Sequence, residues 1–305
     1  MPENKFFFAV CAVSARLCAV FFALAFFSMG TLFGAEKLRV VATFSVPADW
    51  VCAVAGERAE VVSLAPANAD NHAYSPSPGD VKKLRDADFV FAISPDFEVW
   101  FDAISKNVRA KNPQKFIFLG EKFIKGGHHS HSHCDCDFDP HVWTDPEIVA
   151  SEFVPAIARA IGCDGEKYAT ELRAFSAEAR KRFDAIPRER RKIVTYHANM
   201  THFAERFGLE IAGTILASAS TEAADPSAKS LSRLARKIRA EKIPIFVDNT
   251  VSSRIPAALA RDAGVSPPRI LRVDALDVSG APAGTYLGMM RENVREIVSA
   301  LEVAE

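Results

Sequence analysis

The sequence predicts an α/β protein of two similar lobes with parallel sheets, joined by one long connecting helix. Three observations carry that expectation. The chain has 305 residues, room for two domains of roughly 150 residues. Short β-branched or aromatic runs alternate with helical stretches in two successive series, and such alternation builds a parallel sheet covered on both faces. Between the series runs a single amphipathic stripe of helical period.

The first series reads as strands at 38–44, 59–64, 89–93 and 116–119, with helices at 48–55 and 80–85. The second reads as strands at 193–196, 209–215, 245–248 and 270–273, with helices at 230–240, 254–263 and 286–303. The connector is expected over 166–186, where Tyr168, Leu172, Phe175, Ala179, Phe183 and Ile186 recur at steps of three and four and Pro187 ends the run. About 21 residues at 1.5 Å each give a rod of about 30 Å, long enough to run along both lobes. The expected organisation is thus a lobe over 36–163, the connecting helix over 164–189 and a second lobe over 190–305.

Residues 1–35 stand apart. An uncharged run at 17–35 follows Lys5 and Arg16 and ends in the small residues Ser28, Gly30, Gly34 and Ala35, the pattern of a secretory signal peptide cleaved after Gly30 or Ala35. An uncleaved anchor is the alternative, since 6–15 is uncharged as well. The residues before Cys11 and Cys18 form no lipoprotein cleavage box. Export to the periplasm is the expectation.

Composition narrows the function classes. Apolar residues make up 49% and charged residues 25% of the chain, which excludes a disordered tail or a polytopic membrane protein. Lys plus Arg number 37 against 38 Asp plus Glu, so no broad basic field attracts nucleic acid or an anionic membrane. Two of the six cysteines fall in the leader. Of the rest, Cys52 and Cys163 leave a disulfide open, because sequence cannot show whether their Cα atoms approach within about 7 Å.

Chemistry concentrates in two places. Residues 126–139 are almost devoid of apolar side chains and contain His128, His129, His131, His133, Cys134 and Cys136. Imidazole and thiolate are preferred ligands of zinc and its transition-metal neighbours, so this reads as a surface loop that attracts metal. The other candidates sit at or near strand ends, where α/β folds place ligands: His72, His141, His197 and Asp274. Together they predict a metal site in the cleft between the lobes. His202 competes with His197, but only His197 abuts a strand end. Glu98 and Asp248 are candidates to orient ligand imidazoles or simply to face solvent, and Trp50, Trp100 and Trp143 are expected to pack.

The mature chain from about Leu38 onward resembles the metal-binding solute-binding proteins of zinc and manganese ABC transporters, the ZnuA-like or TroA-like family. The likeness rests on Val-Ala-Thr-Phe at 41–44, Asp-Asn-His-Ala-Tyr-Ser-Pro-Ser-Pro at 70–78, the His-rich loop leading into Asp-Pro-His-Val-Trp-Thr-Asp-Pro at 139–146, Tyr-His-Ala-Asn-Met-Thr-His-Phe-Ala-Glu-Arg-Phe-Gly-Leu at 196–209, and Thr-Tyr-Leu-Gly-Met-Met at 285–290. The resemblance implies His72, His141, His197 and Asp274 as the metal ligands. It also implies a membrane permease as partner, with the chain acting as a monomer. Ser94-Pro95 departs from the family's usual Asn-Gly, and Asp248 from its usual Glu.

Three imidazoles and a carboxylate close a four-coordinate shell, whereas catalytic zinc keeps an open position. A carrier of Zn2+ rather than an enzyme is therefore expected, with Mn2+ as the alternative cargo. An exported zinc hydrolase is a rival, though no His-Glu-x-x-His pattern supports it. A metal buffer acting through the loop alone is another.

Overall fold

The structure is a computed structural model that describes residues 36–95, 97–124, 139–216 and 226–303. The expected signal segment lies outside the described residues, as do His128, His129, His131, His133, Cys134 and Cys136.

The first lobe contains β1 (Leu38–Ala42), β2 (Ala59–Ser63), β3 (Phe89–Ala92) and β4 (Phe116–Phe118), all parallel, in the order β2-β1-β3-β4. The second contains β5 (Lys192–Thr195), β6 (Glu210–Thr214), β7 (Phe246–Asp248) and β8 (Arg269–Leu271). Here β5-β6 and β7-β8 form two parallel pairs, joined through a bridge between Val194 and Ile245. The resulting order, β6-β5-β7-β8, repeats that of the first lobe. In both, the order reverses direction beside the first strand, the point at which an open parallel sheet leaves a crevice at its carboxyl end.

Helices α1 (Ser45–Ala55), α2 (Pro78–Asp86) and α3 (Val99–Lys111) cover the first sheet. A turn of π-helix at Val149–Phe153 leads into α4 (Val154–Ile161), and α5 (Glu166–Asp184) is the expected connector. Its 19 residues extend about 28 Å. The six residues of the expected stripe are all buried. The helices α6 (Thr201–Phe207), α7 (Ala228–Glu241), α8 (Arg254–Ala263) and α9 (Tyr286–Val303) follow. Sequence periodicity left α3, α4 and α6 unnamed. The seven-residue α6 is too short to establish a period, but Gly208 at φ 71° marks its end as a left-handed cap.

One apolar cluster runs through both halves. It joins Phe44, Trp50, Trp143 and Phe153 to Phe183, Phe203 and Phe207, and on to Tyr286, Met290 and Ile297 of α9. Trp50 meets Tyr286 edge-on at 5.4 Å, and Phe183 lies 5.4 Å from Phe207. Separating the lobes would expose these rings to water, so the interior resists hinge opening. Cys52 and Cys163 are free thiols, which resolves the open disulfide, and the Cys163 Sγ donates to the Val54 carbonyl at 3.5 Å.

Candidate metal centre

Four side chains from four segments converge at the carboxyl ends of the strands. His72 comes from the loop after β2, His141 from the turn before Pro146, His197 from the turn after β5, and Asp274 from the segment after β8. One ligand atom from each lies within 4.8 Å of every other. The Nε2 atoms of His72 and His141 are 3.2 Å apart. Asp274 Oδ1 is 3.1 Å from His141 Nε2 and 3.6 Å from His72 Nε2, while Oδ2 is 3.5 Å from His197 Nε2. A tetrahedral ion with ligands at 2.0 to 2.2 Å has ligand-to-ligand edges of about 3.3 to 3.6 Å. The cluster is already close to that size.

Local turns aim each group. His72 donates its backbone N–H to Asp70 Oδ1 at 2.9 Å, its loop is pinned by Trp100 Nε1 on the Asn71 carbonyl, and its ring stands edge-on to Phe97. His141 makes the same turn, donating its N–H to Asp139 Oδ1 at 2.9 Å, and its Nδ1 lies 2.7 Å from that oxygen. The His197 carbonyl accepts from Thr195 Oγ1 and from Asn199 N. The chain entering Asp274 is held on both sides, Val273 N donating to Asp248 Oδ2 and Val273 O accepting from Trp143 Nε1. Strand β8 ends at Leu271, so Asp274 follows it by three residues rather than directly as the sequence suggested.

His141, His197 and Asp274 have no exposed side-chain surface, and the His72 side chain is 6% exposed. Neither Asp274 oxygen and neither ring nitrogen of His197 has a hydrogen-bond partner of acceptable geometry among the described residues. Buried polar groups are rarely left so. Burial opposes a charge on His141, yet the carboxylates of Asp274 and Asp139 override it and raise its pKa to about 10. Burial would likewise raise Asp274, but the adjacent charge of His141 and His72 holds it well below the carboxylate range. For His197 burial wins and the pKa falls. An anionic carboxylate ringed by imidazoles, closed from solvent, is a donor set for a divalent cation of borderline softness.

The structure revises the expected supporting roles. Glu98 is buried and accepts from Ile93 N, Ser94 N and the Thr43 hydroxyl, so it braces the ends of β1 and β3 and bonds to no imidazole among the described residues. Asp248 is buried too, accepting from Thr250 and Val273, and acts on the chain beside Asp274. Neither faces solvent. His202 stands outside the cluster, its Nε2 3.0 Å from the Asp139 carbonyl. Sequence reasoning missed Asp139. The available signal was Asp-x-His, which occurs both at 70–72 and at 139–141 and closes an Asx-type turn each time.

Known proteins resemble the chain along most of its length. The family described as zinc-uptake complex component A, periplasmic, matches residues 40–300. A manganese ABC transporter substrate-binding lipoprotein of Streptococcus pneumoniae is 27% identical, covering 96% of this chain and 98% of its own length. An iron ABC transporter substrate-binding lipoprotein of Streptococcus pyogenes is 28% identical, covering 93% and 95%. Among solved structures, the periplasmic zinc-binding protein TroA of Treponema pallidum superposes with a TM-score of 0.74 at 26% identity, over 87% of this chain and 99% of that one.

Proposed function

From the premise that this chain belongs to the zinc-uptake complex component A family, we propose that it captures Zn2+ at His72, His141, His197 and Asp274 and hands it to a membrane permease for import. A metal ABC transporter's substrate-binding component is not an enzyme, and that is the coarse identity of the chain. The observation that supports zinc is the converging set of three imidazole nitrogens and one carboxylate, with ligand atoms all within 4.8 Å of one another. Zinc suits four such ligands, whereas manganese prefers a shell richer in oxygen.

A second reading has its own support. Both oxygens of Asp274 face imidazoles, Oδ1 towards His72 and His141 and Oδ2 towards His197. A bidentate carboxylate adds an oxygen donor and raises the coordination number to five, a step towards the oxygen-richer shell of manganese, the metal for which the pneumococcal relative is named. Export through residues 1–35 to the periplasm and action as a monomer complete the proposal. The two streptococcal relatives are lipoproteins by name, whereas Cys11 and Cys18 here lack a lipoprotein box, so release after signal cleavage is the form proposed. No helix among the described residues is long and apolar enough to cross a membrane.

Elemental analysis of the mature protein, followed by competitive titration with Zn2+ and Mn2+, tests the reading. One tightly held zinc ion per chain, with manganese weaker, is expected. Tighter manganese replaces the first reading with the second, and the absence of any tight site removes both.

A further inference from the structure

We infer that Asp139 is a positioning residue that sets the His141 ligand nitrogen from both lobes at once, an inference that rests on the metal-binding reading above. Asp139 is buried, and its two carboxylate oxygens have separate duties. Oδ1 accepts from the His141 backbone N–H and faces Nδ1 at 2.7 Å. With the Nδ1 proton directed at a carboxylate, the Nε2 lone pair is left for the ion. Oδ2 accepts from Thr201 N at 2.8 Å, in the segment that carries His197 four residues earlier, and the Asp139 carbonyl faces His202 Nε2.

The same two segments are clamped again, six residues on in the first and five in the second. Arg206 makes a two-pronged ion pair with Asp145, Nε to Oδ1 at 2.8 Å and Nη2 to Oδ2 at 2.7 Å. Asp139 therefore orients an imidazole of the first lobe while bonded to the helix that follows an imidazole of the second. Its position governs the separation of the His141 and His197 rings, whose centroids are 5.4 Å apart. His197 has no comparable partner, since its Nδ1 makes no hydrogen bond among the described residues. The burden of orientation thus falls on His141.

Substitution separates positioning from folding. Asp139→Ala removes both acceptors, whereas Asp139→Asn keeps the volume and one carbonyl oxygen but no charge and no second acceptor for Thr201 N. All four ligand residues remain, so each variant should still bind one zinc ion. Zinc affinity, measured by competition with a chelator, should fall by roughly 10- to 100-fold, the usual effect of losing a carboxylate partner of a ligand histidine. The absorption bands of the Co2+-loaded protein should also shift, because they report the geometry of the ligand field. If Asp139→Ala does not fold, Asp139→Asn decides. A folded variant with wild-type affinity and unchanged cobalt bands overturns the inference, even if its melting temperature is lower. Failure of the wild-type protein to bind one ion tightly overturns the underlying metal-binding reading instead, and this inference with it.

Discussion

The indole Nε1 of Trp143 donates a 2.9 Å hydrogen bond to the carbonyl of Val273, so a side chain of the first lobe holds the residue that precedes Asp274 in the second. The carbonyl of Trp143 in turn accepts from the Tyr286 hydroxyl at 2.6 Å. Trp143 is thus both a packed ring and a polar tie across the cleft. Trp143→Phe retains most of the bulk and leaves the buried Val273 carbonyl without its donor. Melting of the metal-free variant should show a loss of roughly 1 to 3 kcal/mol, and its zinc affinity should drop as Asp274 loosens. An unchanged melting temperature would mean that the bond contributes nothing.

The ligand assignment separates two histidines of one segment. His197→Ala should weaken zinc binding by more than about 100-fold, since even loss of a partner of a ligand costs roughly 10- to 100-fold. His202→Ala should retain the tight site. The reverse ranking in a chelator competition would show that the wrong imidazole has been assigned.

Metal entry should expel a proton. The pKa of His141 is raised to about 10 in the metal-free site, so this imidazole is charged at neutral pH and must lose its proton to bind. Calorimetric titration near pH 7.5 in buffers of different ionisation enthalpy should give release of about one proton per zinc ion. An observed enthalpy independent of buffer would contradict this.

Glu98 makes the metal-free protein less stable as pH rises. Burial, outweighing hydrogen bonds from Thr43, Ser94 and Ile93, lifts its pKa from 4.5 to about 7. The folded form holds a proton that the unfolded chain has lost, so the contribution of Glu98 to stability is fully present below pH 4.5 and is lost up to about pH 7, by roughly 3 kcal/mol at most. Burial raises Asp49 to about 6 and Asp248 to about 7, in the same direction. Glu98→Gln should flatten part of the decline between those pH values, and a melting profile parallel to that of the wild type would rule the contribution out.

The loop and the cleft should be separable. Deleting residues 127–136 removes imidazoles and thiols but none of the four converging ligands, so zinc stoichiometry should fall while one tight site survives. A polar tract that must order residues around an ion loses roughly 1 to 2 kcal/mol for each of them, which weakens its sites relative to an organised cleft. Disappearance of all tight binding in calorimetry on the deleted form would favour the buffer reading.

Periodicity and turn chemistry by themselves determined the α/β class, the doubled series and the connecting helix, because the apolar stripe of 166–186 is a local property of the chain. They also singled out His72, His141, His197 and Asp274, because ligands in such folds lie at strand ends and the residue types are those that hold metals. Only the tertiary structure decided what surrounds them. Asp139 bonds to Thr201 across 62 positions and Trp143 to Val273 across 130, and no local pattern encodes a contact between segments so distant. Glu98 and Asp248 looked interchangeable with solvated carboxylates until packing buried them and supplied backbone donors. Burial and hydrogen-bond partners are properties of the folded assembly of segments, and they determine which carboxylate orients an imidazole and which merely braces a strand.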